Sequence, residues 1–161
     1  MTDVKMDPLA HATISALVAL RKTRVSRALA PWIIFGILPD IYLLAAIALS
    51  LVGLKAEVFD EWFALQYNVT HSLMVWGIVW LWLCLGLRQL YWPFAMYGLH
   101  IVTDMISHQH YLTPWLWPVS GFKVSGVFEY SDPRALLVTY AILIPIWAFI
   151  VINRLARADR V

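Results

Sequence analysis

Four apolar runs, at residues 28–53, 71–87, 91–108 and 135–152, constrain this chain more than any other feature. Each is close to the length a helix needs to cross ~30 Å of hydrocarbon. With 61% hydrophobic and 14% charged residues, the chain of 161 residues lacks the polar surface of a soluble domain. Within lipid a spanning backbone must satisfy its own N–H and C=O groups, which helices do internally. The expected fold is therefore all-α: a polytopic membrane helix bundle of four long transmembrane helices. A short N-terminal hydrophobic helix from Pro8 to Leu20, ~20 Å long, adds a half-span. Residues 1–161 read as a single integral membrane domain. Asp3 and Asp7 spoil a basic leader, so the first apolar run is expected to stay in the mature protein.

The formal net charge is only +2, which argues against a nucleic-acid partner. If four spans alternate, Arg21, Lys22, Arg24, Arg27, Arg88, Arg154, Arg157 and Arg160 all fall on one side, which should be cytoplasmic. The opposite side receives Glu57, Asp60 and Glu61 against a single Lys55. The lone cysteine, Cys84, lies in an apolar run, so neither a disulfide nor a thiolate metal site can form within the monomer.

Polar residues inside such runs need a reason. His100, Asp104 and His108 are spaced i, i+4, i+8, which on a helix directs two imidazoles and a carboxylate from one face. A carboxylate near the membrane centre costs roughly 2.5–3.5 kcal/mol on insertion scales, while a leucine returns only about 0.3–0.6. Counted from the basic ends of their helices, Asp40, His11 and His100 lie at a common depth of ~15–18 Å. His71 stands at the outer mouth of the second long run. Pro39, with Gly36 one turn earlier, should kink its helix and free carbonyls for a polar neighbour.

Imidazole and carboxylate without thiolate suit zinc first, with manganese or iron as alternatives, and the donors suffice for one ion or two. Haem between His71 and His100 is a rival, though Asp40 and Asp104 would be poor company for its iron. His11, Asp40, His71, His100, Asp104 and His108 are thus the candidate metal ligands. Asp40 and Asp104 are also the candidates for orienting a water.

The series His11, Gly36-Ile37-Leu38-Pro39-Asp40, Tyr67-Asn68-Val69-Thr70-His71-Ser72-Leu73, Gly98-Leu99-His100-Ile101-Val102-Thr103-Asp104 and Trp117-Pro118 resembles the YdjM-like family of predicted membrane-bound metal-dependent hydrolases. More remotely, the order of its histidines and aspartates is similar to the zinc-dependent phospholipase C and single-strand nuclease superfamily. The resemblance implies one metal site from Asp40, His71, His100 and Asp104, with His11 and a shared Asp104 serving a second. That superfamily has a further His-x-x-x-Glu motif which this chain lacks, and His108, His110 or Glu129 are the candidates to replace it.

After the stripe, residues 111–123 carry two prolines and two tryptophans and read as a lid or an interfacial anchor. Lys123 there, and Arg134 beyond it, are candidates to meet a substrate phosphate, although Arg134 could equally snorkel. The expected function is a metal-dependent hydrolase, phospholipase-like, cleaving a phosphoester of a lipid-linked substrate in a bacterial or archaeal inner membrane, its site toward the outer leaflet. The alternative is a non-catalytic metal- or haem-binding membrane protein.

Overall fold

The computed structural model describes residues 8–22, 28–51, 53, 60–110 and 112–158. Arg24, Arg27, Lys55, Glu57, Tyr111 and Arg160 lie outside the described residues, as do Asp3 and Asp7 and the side chains of Asp60, Glu61 and Arg157.

Seven α-helices form, and no strand among the described residues: α1 (Pro8–Lys22), α2 (Leu29–Ile37), α3 (Ile41–Leu51), α4 (Asp60–Thr70), α5 (Leu73–Leu87), α6 (Ala95–Ser107) and α7 (Pro133–Ala158). The short N-terminal helix appears where expected, with Pro8 as its first residue and Arg21 and Lys22 in the last turn, where cations complement the helix dipole. The four apolar runs all become helical, but four continuous spans do not result. Among the described residues only Pro133–Arg154, 22 residues, is long and apolar enough to cross a membrane, and a pair made of Phe63–Thr70 and Leu73–Leu87 would qualify only as one span bent by 57°.

The breaks have identifiable causes. Pro39 has no N–H to continue α2, and Leu38–Asp40 tightens into a 3-10 turn before α3 begins. Ser72 adopts an extended backbone, and its hydroxyl accepts from the Val75 N–H at 3.2 Å, starting α5 in a new direction. α5 stops at Arg88, a non-glycine residue at φ 53, whose N–H bonds back to Cys84 and Leu85 carbonyls. α6 is preceded by the 3-10 turn Trp92–Phe94 and stops at His108, whose backbone is extended at φ −120 and ψ 103.

α1 packs on α2, α2 on α6, α6 on α5, and α7 on α1. The apolar core is small: Ala19, Trp32 and Met96, with Val18, Leu29, Phe35 and Leu99 against them. After Ile101, the largest fully buried side chains are polar, His71, His100 and His108 first and Asp40 and Asp104 among those that follow. Outside, Trp82 (76% exposed), Leu137 (72%) and Phe149 (69%) face outward. Apolar side chains outside and ionisable ones inside is the arrangement a lipid solvent favours.

One end of the bundle gathers the basic residues. Lys22 sits over the Trp92 ring, 5.7 Å from its centroid, and the Arg154 guanidinium donates to the Leu20 carbonyl. His11 lies eleven residues back along α1 from Lys22, and there it meets Asp104 of α6.

Candidate metal centre

Four elements converge on Asp104. It projects from the last two turns of α6, fully buried, and divides its oxygens between two groups of imidazoles. Oδ2 lies 3.2 Å from His71 Nε2 and 3.1 Å from His100 Nε2. Oδ1 lies 3.1 Å from His11 Nε2 and 3.5 Å from His108 Nδ1. Asp40, from the 3-10 turn, closes the first group with Oδ1 at 3.6 Å from His71 Nε2 and 3.5 Å from His100 Nε2. One ligand atom from each of Asp40, His71, His100 and Asp104 can be chosen so that all four lie within 4.8 Å of one another.

These contacts are not hydrogen bonds. Both oxygens of Asp40 and Asp104 and the Nε2 atoms of His71 and His100 are buried without a hydrogen-bond partner, despite being so close together. A ring N–H donating to a carboxylate would point along the N···O line, and none of these contacts has that geometry. Ligand atoms ~2.0–2.1 Å from a tetrahedral ion stand ~3.3–3.4 Å apart, which is the spacing the contacts show. Two carboxylates and two neutral imidazoles also carry the charge that a divalent cation cancels, so the donor set fits a metal ion. It does not fit haem, because the Asp104 carboxylate occupies the space between His71 and His100 that a macrocycle would need.

The outer faces of the rings explain why the Nε2 atoms are free. His100 Nδ1 donates to the Gly36 carbonyl at 2.8 Å, an acceptor of the kind expected beside the Pro39 break. His71 Nδ1 meets Thr70 Oγ1 at 2.9 Å, and His11 Nδ1 meets Thr103 Oγ1 at 3.2 Å. His71 stacks on Tyr67 with centroids 4.1 Å apart, and His11 on His100 at 3.8 Å. Gly36 permits this approach of α1 to α2: a Cβ there would fall 1.9 Å from Ser15 Oγ. Thr70, Thr103, Tyr67 and the Gly36 carbonyl carry no metal-ligand signature in the sequence, although all lie within the motifs that flank the ligands.

Of the sequence candidates, Asp40, His71, His100 and Asp104 form the quartet, and His11 joins through the second oxygen of Asp104. His108 does not continue the helical face, because α6 has already ended; it reaches Asp104 from the extended backbone, stands beside the Tyr130 ring, and leaves its Nε2 buried without a hydrogen-bond partner. His110 and Glu129 stay outside the cluster and pair with each other, Nδ1 to Oε2 at 2.9 Å. Burial pushes the Glu129 carboxyl up, but hydrogen bonds from the His110 ring and the backbone N–H groups of Gln109 and His110 outweigh it and hold the group below its ordinary value. Lys123 and Arg134 are exposed on the loop and at the start of α7, and neither is brought into the cluster.

The segment after α6 covers this end. Gly126 and Val127 donate to the His108 and Ile106 carbonyls at 2.7 and 2.8 Å, and Thr113 pairs with Val124. Ser72 Oγ reaches the Trp117 carbonyl at 2.7 Å, tying the loop to the junction beside His71. The loop thus packs as a cap over the metal-ligating end, with its own Thr113 and Pro114 buried.

An apolar exterior around a buried cluster of histidine and aspartate defines a membrane protein with a centre able to hold a metal ion. A family model for the YdjM inner membrane protein matches residues 6–159, and the chain belongs to that family. No curated protein and no solved structure matches the chain.

Proposed function

We propose that this protein is a membrane-embedded metal-dependent hydrolase that cleaves a phosphoester in a lipid-linked substrate. The observation that carries the reading is the quartet Asp40, His71, His100 and Asp104, whose inward atoms are buried and unpartnered although they lie within contact distance of one another. The placement of that quartet in a membrane protein supports a lipid-borne substrate.

The four residues would hold the ion, zinc in the first instance, with His11 and the second oxygen of Asp104 available to another. Such an ion supplies positive charge that offsets the charge growing on phosphoryl oxygens and lowers the pKa of water. Asp40 and Asp104 would orient an incoming water and accept its proton. Lys123 and Arg134, exposed at the capped end, would serve headgroup phosphate if the cap moves. The likeness of the ligand order to the phospholipase C superfamily agrees with this chemistry. The gathering of Arg21, Lys22, Arg88 and Arg154 at the far end supports a cytoplasmic basic face and a centre toward the outer leaflet.

One observation favours a non-catalytic metal-binding protein: Asp40, His71 and Asp104 are each only 1% exposed, and closed sites with four protein donors are characteristic of structural ions. Purified protein in lipid nanodiscs, loaded with Zn²⁺ or Mn²⁺ and given phospholipid and generic phosphodiester substrates, separates the two. Turnover lost in His100→Ala and on chelation supports the hydrolase; full metal occupancy with no turnover on any phosphoester refutes it.

A further inference from the structure

The geometry points to Thr70 and Thr103 as positioning residues that fix His71 and His11 as Nε2 donors before any metal arrives. The inference rests on the metal-centre reading but not on hydrolysis. A threonine hydroxyl has one proton to give. Thr70 Oγ1 is 2.9 Å from the Gln66 carbonyl one turn back, and Thr103 Oγ1 is 2.7 Å from the His100 carbonyl and 3.1 Å from that of Leu99. Carbonyl oxygens only accept, so each hydroxyl proton is committed to the helix backbone. What each threonine offers its histidine is therefore a lone pair, and the imidazole must supply the proton.

Nδ1–H is thereby fixed on His71 and His11, so that in the neutral ring Nε2 is the nitrogen whose lone pair faces Asp104. The Gly36 carbonyl imposes the same tautomer on His100 directly. Three imidazoles, from α1, from the α4–α5 junction and from α6, share one device, two of them through a relay in which N–H donates to a hydroxyl and the hydroxyl to a carbonyl. Successive bonds in such a chain polarise one another, which raises the basicity of the ligand nitrogen. A carboxylate is the commoner partner of a metal-bound histidine, but two are already buried here, and a third would add charge that one divalent ion could not cancel. Back-bonding of threonine to the preceding turn is common in helices and implies nothing alone. The second bond gives it a ligand-directed role: Thr70 meets the buried His71 ring, whose Nε2 has no hydrogen-bond partner, and Thr103 meets the His11 ring, whose Nε2 stands 3.1 Å from Asp104 Oδ1.

The test uses the full-length protein in detergent with Zn²⁺ alone, its affinity read by competition with a chromogenic chelator. Thr70→Val and Thr103→Val keep the shape and remove the acceptor, and each should bind Zn²⁺ about 10–100-fold more weakly. Thr70→Ser and Thr103→Ser should restore binding to near the wild-type value. Long-range ¹H–¹⁵N correlations of ¹⁵N-histidine in the metal-free protein should show His71 and His11 as Nδ1–H tautomers, lost in the corresponding valine variants. Wild-type affinity in both valine variants, or serine variants as weak as the valine ones, overturns the proposal. So does an Nε2–H tautomer in the metal-free wild type. A wild type that takes up no Zn²⁺ yet holds Nδ1–H refutes the metal reading and leaves the tautomer lock standing.

Discussion

Asp104→Asn is the substitution whose consequences the structure defines most closely. The side chain keeps its shape, but a carboxylate in contact with four imidazoles, at 3.1 to 3.5 Å, becomes a neutral amide. Without metal this is mild. Both Asp104 oxygens lack a hydrogen-bond donor in the wild type, and the new NH₂ can donate to a bare Nε2, so the metal-free variant should melt close to the metal-free wild type. With metal the difference is large, because the quartet loses a ligand and one of its two negative charges. An ion present at 100 times its Kd stabilises the fold by about 2.7 kcal/mol, and a 100-fold loss of affinity reduces that to about 0.4. At about 2–4 °C per kcal/mol for a chain of this size, added Zn²⁺ should raise the wild-type Tm by about 5–11 °C and that of the variant by only about 1–2 °C.

Thermal melting of purified protein in detergent, with and without Zn²⁺, reads the effect, and elemental analysis of the same samples reads the occupancy. Cys84→Ala and His110→Ala are controls that should keep the wild-type shift, since Cys84 lies on α5 and His110 is 77% exposed. An Asp104→Asn protein with full occupancy and an undiminished shift would remove Asp104 from the centre and refute the ligand assignment.

Gly36→Ala places a methyl on Ser15 and should push α1 away from α2, costing about 1–3 kcal/mol by melting and weakening Zn²⁺ uptake through His11. Because the folded Glu129 pKa lies below its ordinary 4.5, the bonds it accepts stabilise the loop above about pH 4.5 and fade as the pH falls through the lower folded value. Glu129→Gln should therefore flatten the change in Tm between neutral pH and pH 3, and an unchanged profile would show that Glu129 does not anchor the loop. In a Cys84→Ala background, a cysteine at Lys123 should react with an impermeant reagent applied from outside the cell, and one at Gln89 should not; the reverse pattern inverts the proposed orientation.

The cluster was legible because each of its residues is an expensive one in an apolar run, and the spacing of His100 and Asp104 survives as a true i, i+4 pair. Depth counting placed Asp40, His11 and His100 at one level, and the His11 and His100 rings do stack with centroids 3.8 Å apart while Asp40 Oδ1 lies 3.5 Å from His100 Nε2. Helix continuity was not legible in the same way. Hydropathy sums over Pro39, Ser72 and His108 without registering that one lacks an N–H and the other two turn the backbone out of the helix. The i+8 position of His108 was lost for that reason. The cap was legible as a stiff segment but not as a fold, since its bonds to residues 106–108 run through backbone groups that carry no side-chain signature. Gly126 is the exception: a Cβ there would meet the His108 nitrogen at 2.5 Å, yet an isolated glycine in a loop does not name its neighbour.

The same breaks that shorten the spans build the centre. In an unbroken helix every interior carbonyl already accepts one bond from its own ladder, and a ligand histidine on another helix reaches such an oxygen more readily beside a break. The Pro39 turn supplies Asp40 and, one turn earlier, the carbonyl that fixes His100. The change of direction at Ser72 leaves His71 between a helix that ends on Thr70 and one that starts anew, so that Thr70 can hold His71 while Ser72 holds the cap. Among the described residues α7 makes no comparable break and gives the quartet no ligand; its stretch Pro133–Arg154 is long and apolar enough to cross a membrane, whereas the breaks at Pro39 and Ser72 fall beside metal donors. Spanning and coordination place opposite demands on a backbone in lipid, and this chain assigns them to different helices.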